Sequence, residues 1–78
     1  MKHELWAESN GEQTFCLAGP HGDSVRALLS PGAIMVWETE AESHFEAMTQ
    51  YWARMGWGPY TTDFPEQDRL TYRELGLE

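Results

Sequence analysis

Residues 33–60, AIMVWETEAESHFEAMTQYWARMGWGPY, constrain the fold more than any other part of the chain. The apolar run 33–37 is too short for a helix between Gly32 and the acidic Glu38, Glu40 and Glu42, so it is expected to form a strand. Its two faces, Ile34 and Val36 against Met35 and Trp37, are both apolar, which calls for cover on both sides or a central place in a sheet. Ser43 and Glu46 then have the spacing of a capping box, in which each side chain accepts from the other residue's backbone N–H. A helix should follow over residues 44–55. Phe45, Met48, Trp52 and Met55 make one apolar stripe on it, while Glu46, Gln50 and Arg54 point away. Gly56 suits the left-handed position just past a helix end. Trp57, Gly58, Pro59 and Tyr60 form a rigid aromatic exit able to fold back over the last turn.

Upstream, residues 3–8 and 12–18 are two short runs separated by Asn10-Gly11, the dipeptide that best supports a two-residue type I′ hairpin turn. That turn would set Trp6 opposite Phe15 and Leu5 opposite Cys16, with Trp6, Phe15 and Leu17 on one face and Leu5, Ala7, Cys16 and Ala18 on the other. After the breaker cluster Gly19, Pro20, His21 and Gly22, Asp23 or Ser24 is expected to cap a short helix carrying Val25, Leu28 and Leu29, ended by Pro31 and Gly32. In residues 61–78, Phe64, Leu70, Tyr72 and Leu75 lie among charges and neither a helical nor an alternating pattern prevails. Pro65 suits the first position of a helical turn, with Asp63 as its cap.

The order strand, strand, short helix, strand, long helix defines an α+β domain over residues 1–60, followed by a C-terminal tail over residues 61–78 that is partly ordered or disordered. A right-handed crossover lets the third strand pair with the second or skip to the first. We favour the skip, which gives a three-stranded antiparallel sheet with the first strand central and the long helix packed on one face.

The chemistry-bearing residues exclude more than they assign. Cys16 is the only cysteine, so no disulfide forms within the chain, and one thiol with three scattered histidines makes no four-ligand zinc cage. His3, His21 and His44 show no H-x-x-x-H pair, and Ser9, Ser24, Ser30 and Ser43 show no G-x-S-x-G elbow. No catalytic, cofactor-binding or metal residue is assigned. Five basic against thirteen acidic residues give a net charge of −8, which repels phosphate backbones and anionic lipid, so neither nucleic acid nor membrane is an expected partner. An acidic mimic of DNA would need carboxylates at phosphate-like spacing. Residues 1–9 lack the apolar core of a signal peptide, and no eighteen apolar residues run together, so a cytoplasmic protein is expected.

Four residues stand out as a contact with a protein partner or a second copy. Trp57 and Tyr60 follow the helix end, where aromatic anchors of interfaces are at home. Glu38 and Glu40 share a face of the third strand, where they form a hydrated edge or a docking face for a basic partner. The run of residues 36–60, with its acidic strand end, its capped helix and the closing Met55-Gly56-Trp57-Gly58-Pro59-Tyr60, resembles a group of short uncharacterised bacterial proteins. That resemblance implies a bacterial, cytosolic source and assigns no activity. The leading expectation is a small acidic protein-binding or regulatory module without catalytic activity, homodimeric or bound to another protein. The alternative is a small-ligand-binding protein or minor enzyme with a pocket between sheet and helix, lined by Trp6, Trp37 and Trp52.

Overall fold

The computed structural model describes residues 1–78. The chain is α+β: strands β1 (Lys2–Ala7), β2 (Gln13–Leu17) and β3 (Ile34–Glu40) form an antiparallel sheet in the order β2-β1-β3, as the skip connection requires. Three helices accompany it, α1 (Asp23–Arg26), α2 (His44–Met55) and α3 (Pro65–Asp68). Contacts divide the chain into two units, Lys2–Glu40 and Met1 with Ala41–Glu78.

In the first unit the hairpin register differs from the expected one by one residue. Leu5 faces Phe15, and Trp6 faces Thr14. The loop has three residues, not two: Gly11 N–H donates to the Glu8 carbonyl at 3.0 Å, and Glu8 N–H to the Glu12 carbonyl at 2.8 Å. Only Gly11 takes a positive φ, 89°. Asn10 instead uses its side-chain oxygen to accept from Glu12 N–H at 3.0 Å, the local bond that lets asparagine shape a turn without a left-handed backbone. A type I turn closed by a left-handed glycine is the next hairpin solution after the two-residue one.

The shift exchanges the faces. Leu5, 1 % exposed, lies in register between Phe15 and Trp37, whose rings stack with centroids 5.9 Å apart. Phe15 also stacks on His3 at 5.4 Å, so each strand contributes a ring to the same face. Trp6 lies on the opposite face and donates from Nε1 to Glu4 Oε1 at 3.3 Å.

β3 runs on through its acidic end, to Glu40, and occupies an edge of the sheet. A bulge where Leu5 pairs with Trp37 and Trp6 with Met35 leaves Val36 as the extra residue. Ile34, Met35 and Val36 are all exposed, so the expected cover on both faces is absent there. Glu38 stands directly opposite Glu4, an unfavourable pair eased because Glu4 meets Arg26 at 3.4 Å and Glu38 meets Lys2 at 3.7 Å.

Neither Asp23 nor Ser24 caps α1; the cap is Gly22, with no side-chain bond, and the Asp23 carboxylate is taken by Arg26. Val25 and Leu28 are exposed, so apolar burial does not seat this turn. Arg26 does, donating to the Leu17 carbonyl at 2.8 Å and to the Gly19 carbonyl. Gly22 passes so close beneath that a Cβ there would sit 1.8 Å from the Leu17 carbonyl oxygen.

The second unit is tied together at residues 41–43. Ala41 exchanges both backbone bonds with Met1, Ser43 bridges Thr71, and Tyr72 N–H donates to the Glu42 carbonyl at 2.8 Å. Ala41, Ser43 and Tyr72 are buried. α2 starts at Ser43, whose hydroxyl accepts from Glu46 N–H at 3.1 Å, but the reciprocal half of the box slips: Glu46 accepts from Glu42 N–H at 3.4 Å. Ala47 is the fully buried position of the helix, whereas Phe45, Met48, Trp52 and Met55 are half-buried. Pro65 opens α3, capped by Phe64 without a side-chain bond, so Asp63 does not serve. Beyond it, Thr71 and Glu74 form a reciprocal capping box with both bonds at 3.0 Å, closed by Gly76 at φ 78°.

Candidate functional site: the aromatic end of α2

Gly56, at φ 73°, turns the chain out of α2. Its N–H donates to the Ala53 carbonyl at 3.2 Å, and Trp57 N–H to the Trp52 carbonyl at 3.0 Å, the paired bonds of a Schellman ending. Glycine is required because other residues meet a steric cost in this conformation. The turn brings Trp57 back against the helix: its ring meets Tyr51 at 5.5 Å and Trp52 at 5.9 Å, both edge to face. Trp57 is nevertheless 53 % exposed. It is a large apolar ring held at a fixed place with half its surface in water.

Gly58, at φ 84°, and Pro59 return the chain so that Tyr60 packs on Trp52 at 5.3 Å and on Phe45 at 5.4 Å. The Tyr60 hydroxyl donates to Asp68 Oδ2 at 2.8 Å. Burial, with the neighbouring Asp68 carboxylate, raises the Tyr60 pKa above that of an ordinary tyrosine. The same bond, helped by the Thr62 hydroxyl, holds the Asp68 carboxyl below its usual range. Phe45 is covered in turn by the Arg69 guanidinium, 4.5 Å from its ring centroid. Five rings from Phe45 to Trp57 therefore form one continuous cluster, with a cation over one end.

Trp57 and Tyr60, singled out from their place after the helix stop, are brought together on Trp52. Glu38 and Glu40 lie on the exposed edge strand, alternate positions apart and therefore on one face. Asp68 and Arg69 complete the cluster, and no periodic pattern in the sequence marks them. Phe64, in the same stretch, is 69 % exposed beside Pro65.

The remaining chemistry-bearing residues, His44 apart, fall elsewhere. Cys16 is a buried free thiol, its pKa raised by burial and partly lowered again by Arg26. His3 is buried against Phe15, His44 sits edge-on to Tyr60, and His21 lies in the tight turn before α1. No three His, Cys, Asp or Glu side chains are grouped to hold a metal ion. An open depression of about 420 Å³ is lined by Asp63, Phe64, Pro65, Glu66 and Gln67, and none of Trp6, Trp37 and Trp52 contributes to it. No helix is long and apolar enough to cross a membrane.

No family model, curated protein or solved structure matches the chain.

Proposed function

We propose that this chain is a small acidic protein-binding module without catalytic activity, and that it docks a second copy or another protein through Trp57 and Tyr60. The observation that carries this reading is the combination of exposure and fixity at Trp57. A free aromatic side chain loses conformational entropy on binding, but one already held by Gly56 and by two neighbouring rings has lost most of it beforehand. Rigid, half-exposed tryptophans are the residues that dominate interface energies. Glu38 and Glu40 serve a separate purpose in this reading. Exposed carboxylates in a chain of charge −8 raise the rate of encounter with a basic partner more than the strength of the complex. A cytoplasmic place is supported by Cys16 standing as a free thiol.

Affinity capture from the native lysate, run beside the molar mass of the purified protein, tests the reading. Wild type should retain a defined partner, or run as a dimer, and Trp57→Ala should lose it while keeping the wild-type circular dichroism spectrum. Recovery of the same set by wild type and W57A would sink it.

A further inference from the structure

We propose that the surface docked at this site is basic: an extended, arginine-bearing segment of a partner protein, whose guanidinium stacks on the exposed ring of Trp57. The inference rests on the docking reading above and adds the chemistry of the partner. Aromatic faces attract cations, tryptophan most strongly, and the flat, weakly hydrated guanidinium is the cation best suited to stack. The cluster already behaves this way within the chain, since Arg69 lies over Phe45 at one end. Tyr60 and Trp52 link that ring to Trp57 at the other end, where the ring is exposed.

Charge favours the same occupant. Thirteen acidic residues oppose five basic ones, and of the basic ones Lys2 pairs with Glu38, Arg26 with Glu4 and Asp23, and Arg69 covers Phe45. A second copy brings another −8 to the contact, so charge disfavours self-pairing. Trp57 also follows the C-terminal end of α2, the negative end of the helix dipole.

The test is an amide and indole NMR titration of the full chain with three peptides of equal length and spacing, carrying arginine, lysine or citrulline in an otherwise Gly-Ser sequence. The arginine peptide should move the Trp57 indole and the Gly56 and Gly58 amides, and replacing arginine by neutral citrulline should weaken binding by about fivefold. Trp57→Ala should abolish the local shifts, and Trp57→Phe, which preserves an aromatic ring should the alanine variant fail to fold, should keep them at lower affinity. Equal binding of the citrulline and arginine peptides overturns the basic partner and leaves docking at Trp57 standing. Arginine-peptide binding that survives both Trp57 variants overturns the stacking assignment, because diffuse charge attraction then accounts for it. Absence of any shift at Trp57, where capture still depends on that residue, overturns this inference alone; loss of both overturns the docking reading as well.

Discussion

Replacing Gly22 with alanine would place a methyl carbon 1.8 Å from the Leu17 carbonyl oxygen and 2.6 Å from Arg26 Nη1. The backbone there, φ −105° and ψ 0°, is open to alanine, so the cost comes from space and not from backbone strain. Either the end of β2 shifts or Arg26 withdraws, and both break the 2.8 Å bond from the guanidinium to Leu17. A hydrogen bond from a charged donor contributes about 1.5–3 kcal/mol. The contacts of Arg26 to Gly19 and Asp23 are exposed and add little. Against this, alanine restricts the unfolded chain and returns roughly 0.4–1 kcal/mol. The net expectation for Gly22→Ala is a loss of about 0.5–2.6 kcal/mol, set against the roughly 4–12 kcal/mol typical of a chain this long. Urea titration followed by circular dichroism measures it directly, and a thermal melt should fall by about 2–20 °C. Arg26→Lys, which keeps the charge and loses the fork, should couple to it: the double variant costs less than the two losses added, because both remove one contact. A Gly22→Ala variant within about 0.5 kcal/mol of wild type would refute the claim that Arg26 seats this turn.

Two further substitutions probe the second unit. Ser43→Ala removes the acceptor for Glu46 N–H and should cost about 1 kcal/mol, against a few tenths for Ser43→Gly; equal costs for the two in denaturant melts would mean the hydroxyl is not the cap. Burial pushes the Tyr72 phenol from 10 to about 12. The folded chain therefore keeps a proton that the unfolded chain sheds, so stability is whole below pH 10 and falls as the pH rises from 10 to about 12. The loss is at most about 2.7 kcal/mol, and Tyr72→Phe should flatten that limb of the stability–pH curve.

The elements that local chemistry specifies were legible in the sequence. α2 begins and ends where Ser43, Glu46 and Gly56 place it, and Trp57 and Tyr60 return to its last turns as Gly56 and Pro59 suggest. A right-handed connection allows two strand orders, and the one formed is the skip to β1. The hairpin register did not follow, because Asn10-Gly11 supports either a two-residue turn or a three-residue loop, and the side chain of Asn10 decides between them. That single residue moves every side chain of β2 to the other face relative to β1. The apolar pattern of β3 suggested cover that Ile34, Met35 and Val36 lack, since burial depends on neighbours that a run of residue types does not name. α1 is seated by the reach of one arginine to carbonyls, for which no spacing rule exists. A second capping box lies in the tail, where Thr71, Glu74 and Gly76 repeat the logic of Ser43, Glu46 and Gly56 over one short turn. Of the aromatic cluster, the rings on α2 and its exit could be read from position, whereas Asp68 and Arg69 enter from a stretch without periodicity.

Docking at the aromatic end of α2 is tested most directly by placing a photo-crosslinking aromatic amino acid at position 57 in the native cells. Leu28, 84 % exposed and outside the aromatic cluster, is the matched control. Irradiation should yield one dominant adduct of defined mass from position 57 and none from position 28. No adduct from position 57, or the same ladder of products from both positions, would contradict the account.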